Sequence, residues 1–139
     1  MAQSIRDVMT AHPVALPATS SVVDAARVMR DSDIGDVIVV DIGRVCGIVT
    51  DRDITVRGVA EGRDIAHLKL ADVCSRVLTT VSPADSVDDA VRLMREKAIR
   101  RLPVVEDGKP VGIVSLGDLA VTRDPQSALG NISAAPANH

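Results

Sequence analysis

Gly47-Ile48-Val49-Thr50-Asp51-Arg52-Asp53-Ile54 returns 65 residues further on as Gly112-Ile113-Val114-Ser115-Leu116-Gly117-Asp118-Leu119. Both octets read glycine, two apolar residues, a hydroxyl residue, two variable positions, aspartate, apolar residue. Such a run describes a strand that turns into a helix: the hydroxyl caps the helix start and the aspartate three residues on closes a capping box. Outward from the octets the match continues without a gap, residues 7–55 falling on 72–120 with 17 of 49 positions identical. A repeat this long is one supersecondary unit used twice. A single copy has too little core to stand alone and is expected to bury its apolar face against the other. A pseudo-twofold pair carries a cleft along its seam, where a ligand is expected.

Each copy holds the same string of signals. A short strand comes first, Val14-Ala15-Leu16 or Leu78-Thr79-Thr80-Val81. Ser21 and Ser86, each followed three residues later by Asp, start helices whose apolar residues recur at helical spacing: Val22, Ala25, Ala26, Met29 and Val87, Ala90, Val91, Met94. These helices are expected to end near Asp31 and Lys97. Two apolar runs joined by a turn follow, 37–40 and 45–49 in one copy, 102–105 and 111–114 in the other. The second turn contains Asp107-Gly108, a strong hairpin signal. Little alternation within the runs predicts strands covered on both faces. The unit reads β-α-β-β-α, a mixed α/β fold of the α+β kind with two pseudo-twofold-related units packed through their sheets. Expected boundaries are 4–62 and 70–122 for the units, 63–69 for a connector and 123–139 for a tail with a short helix near 126–132 and a frayed end.

Composition narrows the function classes. Hydrophobic residues make up 46% of the 139 residues and charged ones 25%, and there is no Phe, Tyr or Trp. The core must therefore be aliphatic, and the aromatic platform that holds single-stranded nucleic acid is missing. Residues 1–65 carry 7 basic and 10 acidic side chains and residues 66–139 carry 9 of each, so neither half is basic overall, which argues against a nucleic-acid or acidic-lipid surface other than a local patch. No stretch reaches the roughly 20 apolar residues of a membrane span, and the first residues lack a signal peptide's apolar segment. The expectation is a cytoplasmic protein. Cys46 and Cys74 stand at non-equivalent repeat positions and read as small buried hydrophobes rather than a disulfide or metal pair. His12, His67 and His139 show no metal-ligand spacing. No nucleophile–base arrangement and no phosphate-loop glycine pattern emerges. Asp51 and Asp53, two residues apart, do not share a helix face and make no acid/base pair.

The octet supports two readings from its residues. Thr50 with Asp53 and Ser115 with Asp118 can serve purely as helix caps. The same geometry offers free N–H groups and a positive dipole end to an anion. It also sets a hydroxyl beside a carboxylate that can accept the hydrogen bonds of a ribose diol.

The doubled β-α-β-β-α unit with this motif at each strand-to-helix junction resembles the cystathionine-β-synthase (CBS) domain, and two copies resemble a Bateman module over about residues 4–122. The Asp7-Val8 and Asp72-Val73 openings, the Arg27-Val28-Met29-Arg30 and Arg92-Leu93-Met94-Arg95 helices, and Ile99-Arg100-Arg101-Leu102-Pro103-Val104 agree with it. Thr50-Asp51-Arg52-Asp53-Ile54 is especially similar to stand-alone bacterial CBS pairs. The resemblance implies a cleft for an adenosyl ligand: AMP, ADP, ATP, NAD or S-adenosylmethionine. It implies Asp53 and Asp118 as ribose carboxylates and Thr50 and Ser115 as hydroxyls near ribose or phosphate. Adenine walls would be Val14, Ala15, Val37 and Ile38 in one copy, and Leu78, Thr79, Leu102 and Pro103 in the other. Arg100 and Arg101 stand where relatives place a basic residue facing phosphates, with a solvated pair at a helix end as the other reading. Gly35-Asp36 replaces Arg100-Arg101 in the first copy and Ile38 replaces Pro103, so the two pockets are not equivalent. Phosphate contacts cross the seam in relatives, which leaves open which pocket loses.

The resemblance implies a stand-alone regulatory module, not an enzyme, with no obligatory cofactor and no metal. It would bind an adenosyl nucleotide, act in trans on an unidentified partner protein, and pair through its helices into a homodimer. The connector and the tail after Thr122 would be the parts that move. The alternatives are a ligand-free structural or dimerisation module, whose boxes only cap, and a nucleic-acid-binding regulator, against which the acidic balance argues.

Overall fold

The computed structural model describes residues 3–76, 79–123 and 126–135. Leu78, expected in a strand and in an adenine wall, lies outside them, as do residues 136–139 of the ending expected to fray from Ala134, whereas Ala134 itself closes a helix. In chain order the elements are α1 (Ile5–Val8), β1 (Thr10–Ala11), β2 (Ala15–Pro17), α2 (Val22–Ser32), β3 (Asp36–Asp41), β4 (Arg44–Thr50) and α3 (Asp51–Asp53). A π-helical segment (Ile54–Val59) and a 3-10 turn (Ile65–His67) lead to α4 (Leu70–Val73) and β5 (Ser75–Arg76). The second copy gives α5 (Val87–Lys97), β6 (Arg101–Glu106), β7 (Lys109–Ser115), α6 (Leu116–Arg123) and α7 (Ala128–Ala134).

The local signals act as their chemistry dictates. Ser21 Oγ accepts the Asp24 N–H at 3.0 Å and Ser86 Oγ the Asp89 N–H at 3.1 Å, each holding an amide that the helix start leaves unpaired. Val22, Ala25 and Met29 form the buried face of α2, and Val87, Ala90 and Met94 that of α5. Both helices end on left-handed residues, Asp33 and Ala98. Both hairpins turn through two positive-φ residues, Ile42 (51°) with Gly43 (75°) and Asp107 (54°) with Gly108 (80°), the primed turn that matches strand twist.

The chain forms two compact units. The first comprises Pro13–Leu78 with Gly108–Pro110. Its sheet runs β2-β3-β4-β5, with β2 parallel to β3 (Ala15 opposite Ile38) and the other pairs antiparallel. Its core joins Val22, Ala25 and Met29 to Val37, Val39 and Val49, and to Leu68, Leu70 and Val73. The second unit comprises Met1–His12, Thr79–Asp107 and Val111–His139. Its sheet runs β1-β7-β6, with β1 antiparallel to β7 (Thr10 opposite Ile113), and Val81 makes a parallel bridge to Val104. Its core holds Ile5, Val81, Val87, Ala90, Met94, Leu102, Val104, Val114 and Leu119.

The repeat boundary and the packing boundary differ. The repeats divide near residues 62 and 70, whereas the opening of each repeat packs in the other repeat's unit. Ile5 is fully buried in the second core, and its N–H bonds Asp85 O at 2.8 Å. Leu70 is fully buried in the first core, and its N–H bonds Ser20 O at 2.9 Å. Leu68, expected in a connector, is 5% exposed in that same core. Hydrophobic burial drives the exchange: α1 and α4 are single turns whose apolar residues are covered only by a neighbouring sheet and helix.

Candidate functional site

Both capping boxes are formed, with nearly the same dimensions. Asp53 Oδ2 accepts the Thr50 N–H at 2.9 Å while Thr50 Oγ1 accepts the Asp53 N–H at 3.0 Å. Asp118 Oδ2 accepts the Ser115 N–H at 2.9 Å while Ser115 Oγ accepts the Asp118 N–H at 3.1 Å. The motif side chains therefore cap, as one reading of the sequence requires, and capping does not exhaust them. A carboxylate offers about four lone-pair sites, and each box draws on Oδ2. The Asp53 side chain keeps 15% of its surface exposed, and its Oδ1 stands 3.9 Å from Arg57 Nε.

The surroundings of the two boxes differ in charge. In the first, the Gly35 carbonyl accepts the Asp51 N–H at 3.1 Å, and Asp51 Oδ1 accepts the Arg52 N–H at 2.8 Å. Every first-turn amide of α3 thus has a partner from the chain itself; Asp51 and Asp53 stand on that turn, and Asp36 lies opposite Thr50 in the strand pair. In the second, the Arg100 carbonyl accepts the Leu116 N–H at 2.8 Å. Leu116 brings no carboxylate, and among the described residues no acceptor is found for the Gly117 N–H. Arg100 and Arg101 are both exposed there.

Local sequence also shapes the chain beyond each motif. After α3 the β-branched run Ile54-Thr55-Val56 does not continue an α-helix. Thr55 Oγ1 donates back to Asp51 O at 3.1 Å, a bond that bends helices, and the chain takes a π-helical course. That course carries Arg57 Nη1 to 3.3 Å from both Val73 O and Cys74 O, tying the segment to the end of α4. Leu119-Ala120-Val121 has a milder composition, and α6 is a regular eight-residue helix.

The remaining expected residues fall into two groups. Val14 and Ala15 are half-buried, and Val14 O accepts the Ile38 N–H at 3.0 Å. Thr79 is half-buried as well. Val37 and Ile38 are each 1% exposed and Leu102 is fully buried, while Pro103 is buried and its carbonyl accepts the Val81 N–H at 3.1 Å. Val37 and Leu102 are members of the two cores. Two open grooves of the first unit lie beside the motif. One of about 370 Å³ is lined by Val22, Val23, Ala26, Arg27, Arg30, Ile54 and Ile65. The other, about 490 Å³, is lined by Arg57, Glu61, Arg63 and Asp72. Neither includes Thr50 or Asp53. Cys46 and Cys74 are free, half-buried thiols, and burial pushes the pKa of both upward.

One neighbour of the second motif had no signal in the repeat. A Cβ on Gly117 would stand 2.8 Å from Ser133 Oγ and 3.7 Å from Ser115 Oγ, so α7 lies against the first turn of α6 and brings a second hydroxyl to the motif. The small residue at position 117, where the first copy has Arg52, is what admits Ser133. Only that small-for-large exchange could have pointed to it.

Two stretches, residues 5–58 and 70–122, match the family model described as the CBS domain. The chain belongs to the CBS-domain family. The CBS domain-containing protein YhcV of Bacillus subtilis is 40% identical over 134 residues, covering 94% of this chain and 95% of its own. A crystal structure of Hypoxic Response Protein I with two coordinated zinc ions is 30% identical, with a TM-score of 0.76, over 85% of this chain and 97% of its own. The CBS domain pair of protein MJ0100, crystallised with 5′-methylthioadenosine and S-adenosyl-L-methionine, superimposes with a TM-score of 0.79 at 23% identity, over 91% of this chain and all of its own. That likeness concerns the fold. The tandem CBS assignment and the mixed α/β architecture read from the octets both stand. No helix among the described residues is long and apolar enough to cross a membrane.

Proposed function

We propose that this CBS pair is a stand-alone regulatory module that binds an adenosyl ligand at its Thr/Ser-x-x-Asp motifs and acts in trans on a partner protein. The observation that carries the reading is the formed box at each motif: Asp53 and Asp118 are fixed through Oδ2 beside a hydroxyl, which orients the rest of the carboxylate for a ribose diol. The adenosyl ligands of MJ0100 support the same ligand class. The buried positions of Val37, Ile38, Leu102 and Pro103 favour contact with adenine through strand backbone rather than through side chains. Binding without bond-making regulates only when the ligand prefers one of two states. A homodimer through the helices remains part of the reading. Val56 and Val59 on the π-helical segment, 41% and 59% exposed, and Ile132 on α7, 73% exposed, are apolar surface such an association would cover.

A thermal-shift series with AMP, ATP, NAD, 5′-methylthioadenosine and S-adenosylmethionine on wild type, Asp53→Ala and Asp118→Ala tests the proposal. Either substitution removes half a box and lowers the ligand-free Tm, so the informative quantity is the ligand-induced shift. A shift of several degrees for one ligand, lost in one variant, is expected. Equal shifts in all three proteins, or none, would leave the boxes as caps and the chain as a scaffold. Light scattering at micromolar concentration tests the dimer, for which a strict monomer is the contrary result.

A further inference from the structure

We propose that α7 is an autoinhibitory cover on the second motif, which an adenosyl ligand must push aside to reach Ser115. The inference rests on the adenosyl-binding reading and adds to it how access to one motif is controlled. Its basis is the packing of α7 on the first turn of α6. A Cβ on Gly117 would stand 2.8 Å from Ser133 Oγ and 3.2 Å from Ser133 Cβ, too close for any side chain to begin there. Ser133 therefore lies directly on the Gly117 backbone, and the same point is 3.7 Å from Ser115 Oγ. A ligand oxygen bonded to the Ser115 hydroxyl from the Gly117 side needs the space that Ser133 fills. The first motif carries Arg52 at the corresponding position and lacks the close approach that seats Ser133.

The cover is held lightly enough to be displaced. Gly130 is the one buried residue of α7, and Leu129 and Ile132 are 43% and 73% exposed. Gly130 and Asn131 are poor helix formers, and a helix of this length is marginal without tertiary support. A segment with so little buried surface opens locally at a fraction of the global stability. A ligand that binds only when α7 is off shifts that local equilibrium, and the closed population weakens its apparent affinity.

Ile132→Pro tests the cover in the full chain. Ile132 is exposed, so the change breaks α7 through its backbone and leaves the motif untouched, while Ile132→Ala keeps the helix as a control. In calorimetric titration with AMP and with 5′-methylthioadenosine, whichever compound binds should do so about tenfold more tightly in Ile132→Pro than in wild type or Ile132→Ala, the gain being the reciprocal of the open fraction of α7. Adding Asp118→Ala, which leaves the first motif alone with its carboxylate, should abolish that gain. In wild type the same ligand should speed hydrogen exchange of the α7 amides. An affinity unchanged or weakened in Ile132→Pro, or α7 exchange slowed or unmoved by bound ligand, would overturn the cover while leaving adenosyl binding intact. If neither wild type nor Ile132→Pro binds either compound, the adenosyl reading falls and the cover with it.

Discussion

The two motifs share a backbone device and differ in everything charged around it. The box distances agree to within 0.1 Å: 2.9 and 3.0 Å at Thr50/Asp53, 2.9 and 3.1 Å at Ser115/Asp118. Around the first stand Gly35, Asp36 and Asp51, and around the second Arg100, Arg101 and Leu116. The first continues into a π-helical segment tied to α4 by Arg57, while the second continues into a regular helix overlaid by α7. The lesson is that the residues building the turn and those setting the charge around it are separate. The first set is confined to hydroxyl and aspartate three residues apart, and the second is free to diverge.

Four substitution pairs would break or sharpen that contrast. The largest effect is expected where strand β4 or β7 is overlaid by the opening segment of the other repeat. A Cβ on Gly47 would stand 2.7 Å from the Ser75 carbonyl, which is backbone, whereas on Gly112 the nearest atom is the flexible Met9 Sδ. Gly47→Val should cost about 3 kcal/mol in urea unfolding and Gly112→Val less, since overpacking is relieved more cheaply against a side chain. Equal losses would show that the two overlays are mechanically alike.

Next, Gly117→Arg installs the first copy's residue at the second motif and must displace Ser133. It should cost about 2 kcal/mol and remove hydrogen-exchange protection from α7. The reverse change, Arg52→Gly, touches no overlying helix and should cost well under half as much. Third, Ser115→Ala and Thr50→Ala each remove a cap worth about 1 kcal/mol. Thr50→Ala should lose a few tenths less, because Asp51 still holds one first-turn amide. The smallest pair is Leu116→Asp against Asp51→Leu. An acid at the first helical position stabilises by about 0.5 kcal/mol through the helix dipole, so the former should gain and the latter lose by that amount. Both changes should shrink as salt rises.

Much of this was legible because it is local. Ser21 and Ser86 as caps, the helix stops near Asp31 and Lys97, the paired apolar runs and their turns, and both capping boxes involve partners a few residues apart. The boxes in particular are readable from spacing alone, a hydroxyl and an aspartate three positions apart at the end of an apolar run. What escaped involves distant partners or side-chain choices without a period. The spacing that predicts a helix start after Thr50 contains no warning of the π-helical turn, which arises from Ile54-Thr55-Val56 and the Thr55 back-bond. Ser133 lies sixteen positions after Gly117 and outside the repeat, so nothing in the self-match points to it. The Asp51 bond to the Arg52 amide shows in no motif, since position 51 is one of the two variable places.

By itself, the sequence determined that one β-α-β-β-α unit is used twice, closely where α2, α5 and both hairpins begin and end, and that each motif sets a hydroxyl and an aspartate at capping-box spacing. Those outcomes rest on neighbouring residues whose hydrogen bonds form wherever the segment is placed. Tertiary structure alone decided which core each opening segment joins: Ile5 with Val81 and Val87, Leu70 and Val73 with Val22 and Val37. The openings are alike in sequence and so are the sheets they could cover. The choice therefore depends on where the chain can bury them, and that is a property of the packed units rather than of any segment.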